Sequence, residues 1–279
     1  MTTTLRPSGP LQRTADGGRS RGYEVCDNSR PVGSVEIASL PSVEAGCGTV
    51  RGLRIAESDR RRGRGTVAAL AAEEVLRGWG CTQVQVSVPP DATAAARLTT
   101  ALGYTERSRT MVKHLPEAPP ALPDGASARP MTADEFAVWW EEGLQGYARS
   151  WAERGLTPAA ARAKAEADRS AGLPGGRATP GVRLEVLEYA GEPAGHLYLG
   201  RRELLPGEHA AYVYDIEVYG ERRGRGHGRA LMLHAERCAL AAGERRIGLH
   251  VFAGNEPALG LYASLGYRTT AVHSFKHLL

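Results

Sequence analysis

Apolar and polar positions in the second half of the chain keep two rhythms. Phe136, Trp139, Trp140, Leu144 and Tyr147 recur at helical spacing after the short strand SARPM (127–131), with Thr132 as N-cap and Glu135 completing a capping box. Thr157-Pro158 opens a second predicted helix. VRLEVLEYA (182–190) and AGHLYLGRR (194–202) alternate with a period of two, which predicts antiparallel strands turning through Ala190-Gly191-Glu192-Pro193. AYVYDIEVYG (211–220) reads as a further strand. A glycine-rich turn, RRGRGHGR, then leads into the helical ALMLHAERCALAAG, the strand RIGLHVF, a short helix over 255–265 and a last strand, TTAVHSFKHL.

This pattern occurs twice. RRGRG at 61–65 returns at 222–226, an offset of 161, whereas ALGYTE (101–106) is answered by SLGYRT (264–269) at 163. Lys113-His114-Leu115 is likewise answered by Lys276-His277-Leu278 at 163. Matches in the same order indicate two copies of one fold, with a two-residue slip at the loop. From LRPSG (5–9) the first copy reaches the strand GYEVCDN (22–28) with too few residues between for the two helices of the second. The linker-like EAPPALPDGASARP (117–130) places the domains at 1–121 and 122–279.

Composition adds exclusions rather than a function. The 279 residues, 42% hydrophobic and 24% charged, fit a folded globular chain. The net charge of +4 arises in 1–121, with 16 basic and 12 acidic residues, while 122–279 carries 19 of each. So mild an excess argues against a nucleic-acid surface. No apolar run approaches the ~18 residues that span a bilayer and MTTTLRPSGP has no export signal, so the expectation is a cytoplasmic protein without a membrane partner. Cys26, Cys47, Cys81 and Cys238 lack CxxC spacing and read as structural thiols, with no metal expected. Only Lys113, Lys164 and Lys276 are lysines.

Chemistry concentrates at Arg223-Gly224-Arg225-Gly226-His227-Gly228. A glycine-rich loop opening a helix leaves backbone amides unpaired and aims the positive end of the helix dipole at the same point, which makes a pyrophosphate cradle. There is neither a GxxxxGK loop nor the βαβ frame of a dinucleotide fold. Followed by Asn255-x-x-Ala258-x-x-x-Tyr262 and Leu265-Gly266-Tyr267, this R-x-x-G-x-G loop resembles that of the GNAT superfamily of acyl-CoA-dependent N-acyltransferases. The resemblance spans 127–279 and, more weakly, most of the first copy. It implies an α/β (α+β) chain of two tandem GNAT-like domains, each a mixed, mostly antiparallel sheet flanked by helices, the first trimmed. It also implies acetyl-CoA held by Arg223, Gly224, Arg225, Gly226, His227, Gly228 and Arg229, by Ile216, Glu217 and Val218 of the strand, and by Asn255 and Tyr262. A bulge in that strand would free an amide near Val218 or Tyr219 for the thioester oxygen.

An alkyl ammonium of pKa ~10.4 costs about 4.6 kcal/mol to neutralise at pH 7, so transfer to an amine benefits from a base. Glu217 is one candidate, with Asp215 on the same strand face, and His250 is the other. Each has a plainer alternative: Glu217 as an arginine's partner, His250 as a hydrogen-bonded core histidine. Tyr262 stands where the family donates a hydrogen bond to the departing thiolate, or else packs in the core; Asn255 faces pantetheine or only caps its helix.

At offset 163 the first copy has Thr99 for Tyr262, Ala92 for Asn255 and Ser87 for His250, and at 161 Val67 for Gly228, so it reads as non-catalytic. The acceptor side of the second copy would be walled by its first helices, whose aromatics are chiefly core; Glu141 and Glu142 either attract a cation or form a solvated face. The reading is acetyl transfer to the primary amine of a small molecule. Its alternatives are a non-catalytic acyl-CoA-binding regulator or scaffold, and a protein N-terminal or lysine acetyltransferase.

Overall fold

The computed structural model describes residues 3–40, 46–153, 157–205 and 207–278. The chain divides into two compact units: Met1–Thr110 with Phe252–Gly254 and Thr269–Leu279, and Met111–Val251 with Asn255–Arg268. In the first unit the elements run β1 (Thr3–Pro7), β2 (Gln12–Arg13), β3 (Arg19–Asp27), β4 (Arg30–Ser39), β5 (Cys47–Ile55), α1 (Arg64–Gly78), β6 (Gln83–Val88), α2 (Thr93–Ala101) and β7 (Thr105–His114). Ala68, Ala72 and Leu76 of α1 bury one face of the sheet against Val25, Val35, Ile37 and Val84. The trimming expected from the sequence is real: β1 to β3 are joined without a helix.

The second unit adds β8 (Ala126–Pro130), α3 (Ala133–Glu153), α4 (Pro158–Gly172), β9 (Arg183–Tyr189), β10 (Glu192–Leu205), β11 (Glu208–Val218), α5 (His227–Ala241), β12 (Arg246–Phe252) and α6 (Glu256–Ser264). Its strands lie in the order β8-β9-β10-β11-β12, antiparallel except for the parallel pair β11 and β12. Two-residue turns fix both hairpin registers, Asn28-Ser29 at φ 47 and 70° and Ala190-Gly191 at φ 52 and 83°. The predicted capping box forms: the Thr132 amide donates to Glu135 Oε2 at 2.8 Å and the Glu135 amide donates to Thr132 Oγ1 at 3.2 Å. Arg129 clamps the same carboxylate at 2.7 and 2.8 Å.

The Arg129 guanidinium is the main cause that holds the Glu135 carboxyl down to about 2. Its contribution to stability is present above the ordinary value of 4.5 and fades as pH falls toward 2. Glu135→Gln, which keeps the capping box but removes the charge facing Arg129, is expected to lower the unfolding free energy by up to about 1 kcal/mol at pH 7. Urea denaturation reads the difference, which shrinks on acidification; a difference independent of pH would contradict this assignment.

The compact units are not the sequence halves 1–121 and 122–279. The last strand, β13 (Arg268–His277), pairs antiparallel with β6 from Val272↔Val88 to His277↔Gln83, and the Leu278 amide donates to Thr82 O at 2.8 Å. Met111 and Leu115 pack in the second core with Leu249 and Tyr267, and the Leu115 amide donates to Arg245 O at 2.9 Å. Each unit therefore borrows chain from the other sequence copy, and a buried ion pair fastens each loan. Lys276 Nζ lies 2.7 Å from Glu73, which also accepts from the Tyr104 hydroxyl at 3.0 Å. Lys113 Nζ lies 2.7 Å from both oxygens of Glu236 and 5.7 Å from the centre of the Tyr267 ring.

The two-residue slip at the loop disappears in the structure. Gly63 at φ 73° caps α1 as Gly226 at φ 85° caps α5, and Arg60 Nε donates to Ile55 O at 2.9 Å as Arg223 Nε donates to Val218 O at 3.0 Å. The register across the loop is 163, so Gly65 rather than Val67 stands in the place of Gly228. The RRGRG identity at 161 matches letters whose backbone conformations differ; Arg61, at φ 59°, takes the left-handed position of Gly224.

Candidate active site

Two glycines shape the loop before α5. Gly224 and Gly226 sit at φ 75 and 85°, and a Cβ on either would meet nothing within 4 Å, so backbone conformation rather than crowding requires glycine. Among the described residues no backbone carbonyl accepts from the amides of Gly224 to Arg229, which leaves them facing outward at the helix start. Gly228 differs: a Cβ there would lie 3.1 Å from Leu261, so it lets α5 approach α6. Arg229 Nη2 bonds Ser264 Oγ at 2.7 Å across the same two helices. The His227 ring is buried 4.9 Å from that of Tyr189 beside a cavity of about 340 Å³ lined by Tyr189, Ala190, Glu192, Arg222, Arg225 and itself. Burial, then the charges of Arg222 and Arg225, hold it below the usual histidine range.

The central strands part near this loop. β11 pairs with β12 only from Ala211↔Ile247 to Val213↔Leu249, although β11 runs on to Val218 and β12 to Phe252. A bulge starts where the ladder ends: Tyr198 faces Asp215 and Leu199 faces Val213, leaving Tyr214 as the extra residue. The bulge is thus at Tyr214, not at Val218 or Tyr219, and the Tyr219 amide is taken by Ala194 O at 3.0 Å. Beyond the bulge the strands stay tightly apposed through Gly195, where a Cβ would come within 2.3 Å of Glu217 O.

The bulge turns Asp215 toward α3. Its Oδ2 accepts from Trp139 Nε1 at 2.8 Å and lies 3.1 Å from His196 Nε2 on β10. The side chain keeps 44% of its surface accessible, although the surrounding protein opposes its charge. Burial pushes the carboxyl up, and the bonds from His196 and Trp139, with the charge of Arg169, more than offset it, so Asp215 titrates below the usual carboxylate range. Arg169 of α4 stacks 4.4 Å over Trp139 and 4.9 Å over Trp140. Tyr198 packs edge-on to Trp139 at 5.8 Å.

Tyr262 is buried in the main core cluster, and burial, then the charge of Asp215, pushes its phenol up. Glu217 turns elsewhere: its half-exposed carboxylate pairs with Arg223 Nη2 at 3.2 Å. His250 lies on the exposed side of β12. Ile216 and Val218 pack against the core. Asn255 is the N-cap of α6, accepting from the Ala258 amide at 3.3 Å. Glu141 is committed to Arg162 at 3.0 Å. His196 is the site residue that the sequence did not single out, and Trp139 was read chiefly as core; the alternation of AGHLYLG placed His196 on a strand face but named no partner for it.

Parallel strands that part beside a glycine-capped helix N-terminus form the framework of an acyl-CoA-dependent acyltransferase. The family model described as Acetyltransferase (GNAT) family matches residues 4–104 and 147–267, and the chain belongs to that family. It is similar to two uncharacterized N-acetyltransferases of Bacillus subtilis (strain 168). YdgE is 30% identical over 150 residues, 53% of this chain and 95% of the relative; YycN is 28% identical over 151 residues, 53% and 96%. A GCN5-related N-acetyltransferase from Sphaerobacter thermophilus shares the fold at TM-score 0.59 and 19% identity, covering 92% of this chain and 80% of that one. So does a tandem GNAT protein from the clavulanic acid biosynthesis pathway, at 0.51 and 22%, covering 94% and 84%. The protein is a GNAT-type acyltransferase with two tandem copies of the fold. No helix of the described residues is long and apolar enough to cross a membrane.

Proposed function

We propose that the second unit transfers an acetyl group from acetyl-CoA to the primary amine of a small molecule, with Asp215 and His196 handling the amine's proton and Tyr262 as the acid. The observation that carries this reading is Asp215, turned toward α3 by the bulge where β11 and β12 part and bonded to His196 and Trp139. The loop fits a pyrophosphate: outward amides from Gly224 to Arg229, two left-handed glycines and flanking Arg222, Arg223 and Arg225. Acetyl-CoA, when bound, supplies an activated thioester.

The chain's own groups do the rest. Asp215, ionised at neutral pH, attracts and orients an ammonium. With Nε2–H of His196 donating to that carboxylate, the other ring nitrogen is left as a proton acceptor. Tyr262, held protonated by burial, has a hydrogen to donate to a departing sulfur. A small acceptor is favoured because α3 and α4, absent from the first unit, cover this side, with Trp139 and Trp140 of α3 packed with Tyr198 of β10. The first copy is non-catalytic in this reading: at offset 163 Gly52 replaces Asp215 and Thr99 replaces Tyr262, and Ser34, which faces Arg54 on β5 as His196 faces Glu217 on β11, replaces His196.

Thiol release from acetyl-CoA against a panel of small amines, peptides and lysine-bearing proteins tests the proposal. Release with small amines is expected; release only with peptides or proteins would overturn the acceptor class, and tight acetyl-CoA binding without release would favour a regulator. Gly226→Ala is expected to cost about 1 kcal/mol of stability through its left-handed φ and to weaken acetyl-CoA binding by calorimetry. Unaltered affinity would separate the loop from the cosubstrate.

A further inference from the structure

Away from the cleft, β9 and α5 bring together a carboxylate, an imidazole and a thiol that the acyl-transfer reading does not use. The Glu185, His234 and Cys238 ligand atoms all lie within 4.8 Å of one another. His234 Nε2 is bonded to Glu185 Oε2 and sits 3.4 Å from Cys238 Sγ, so oxygen, nitrogen and sulfur converge on one point. Glu185 and Cys238 are each 5% exposed, and Cys238 belongs to the main core cluster. His234 and Cys238, four apart on α5, share one helix face, while Glu185 comes from the strand that faces it.

We propose that Glu185, His234 and Cys238 form a structural site for a divalent transition-metal ion of the zinc type, pinning β9 to α5. The donor set decides the class: thiolate and imidazole suit zinc, cobalt or nickel, and hard oxygen-seeking calcium or magnesium would leave the sulfur unused. One thiolate and one carboxylate offset the two charges of the cation, and the half-exposed Arg183 keeps its own charge toward solvent. Three protein ligands leave a fourth position to water. Arg183 Nη1 donates to Glu185 Oε1 at 2.9 Å, which holds the carboxylate in place and leaves Oε2 for the ion. Binding replaces the existing contacts by metal bonds, with the thiol and imidazole protons released to water. The wide spacing of the cysteines predicts no such site; only folding brings Cys238 and His234 to Glu185.

Cobalt(II) titration of tag-free, chelator-treated full-length protein tests this. Expected are one equivalent bound per chain, visible d–d bands, a near-ultraviolet thiolate-to-cobalt charge-transfer band, and displacement of both by zinc. Cys238→Ser abolishes the charge-transfer band, and Glu185→Gln, which keeps the sulfur, weakens binding with the band retained; circular dichroism shows whether each variant is folded. Absence of the band in the wild-type protein, or a band unchanged in Cys238→Ser, overturns the proposal and leaves the trio a hydrogen-bonded core cluster. Acetyl transfer is not part of the readout, so this test stands apart from the proposed reaction.

Discussion

Asp215→Asn is expected to lower kcat/KM for acetyl transfer by about 10²- to 10⁴-fold, the usual worth of a positioned acid–base group, while acetyl-CoA affinity stays near that of the wild type. The amide keeps the size of the carboxylate but can neither attract the ammonium nor hold the His196 tautomer. Glu217→Gln, at a residue paired with Arg223 on the surface, should change turnover little. A comparable loss in both variants would return the base to Glu217 and undo the assignment of Asp215. A loss in Asp215→Asn that alkaline pH partly repairs is also expected, since a larger neutral fraction of amine needs less help.

The second large effect is on stability. Lys276→Met should destabilise the protein by about 3–5 kcal/mol, because it leaves the Glu73 carboxylate without its cation in the core. The Glu73 side chain is 4% exposed, and the Tyr104 hydroxyl remains to bond it. Adding Glu73→Leu to Lys276→Met should restore most of the loss, since removing both charges together is far less costly than removing one. Urea unfolding of the two variants measures both numbers. A single variant as stable as wild type would mean that Glu73 finds another partner, and that β13 is not fastened to α1 by this pair.

These two sites differ in how much of them the sequence displayed. The strands and the glycine loop were legible because periodicity and backbone-special residues are local properties, whereas Tyr262 was named only through the resemblance to a family. Asp215 was visible only as a strand neighbour of Glu217, since the bulge at Tyr214, the His196 bond and the Trp139 bond each need a second element in place. The loop register was misread by two because identical letters in RRGRG outweighed the position of the left-handed residue, which is what the turn requires. The exchange of last strands had a faint signal: two of the three lysines repeat at 113 and 276, a spacing of 163. Which glutamate each would meet could not be read from a repeat in which both copies carry the same residues.

The central claim is that acetyl transfer belongs to the second copy and runs through the group around Tyr262. Its most direct test is amine-dependent thiol release from acetyl-CoA by two variants, Tyr262→Phe and Thr99→Val, at matched positions of the two copies. The account predicts that Tyr262→Phe loses most turnover while still binding acetyl-CoA, and that Thr99→Val matches wild type. Undiminished release by Tyr262→Phe, or loss of release in Thr99→Val, would contradict it.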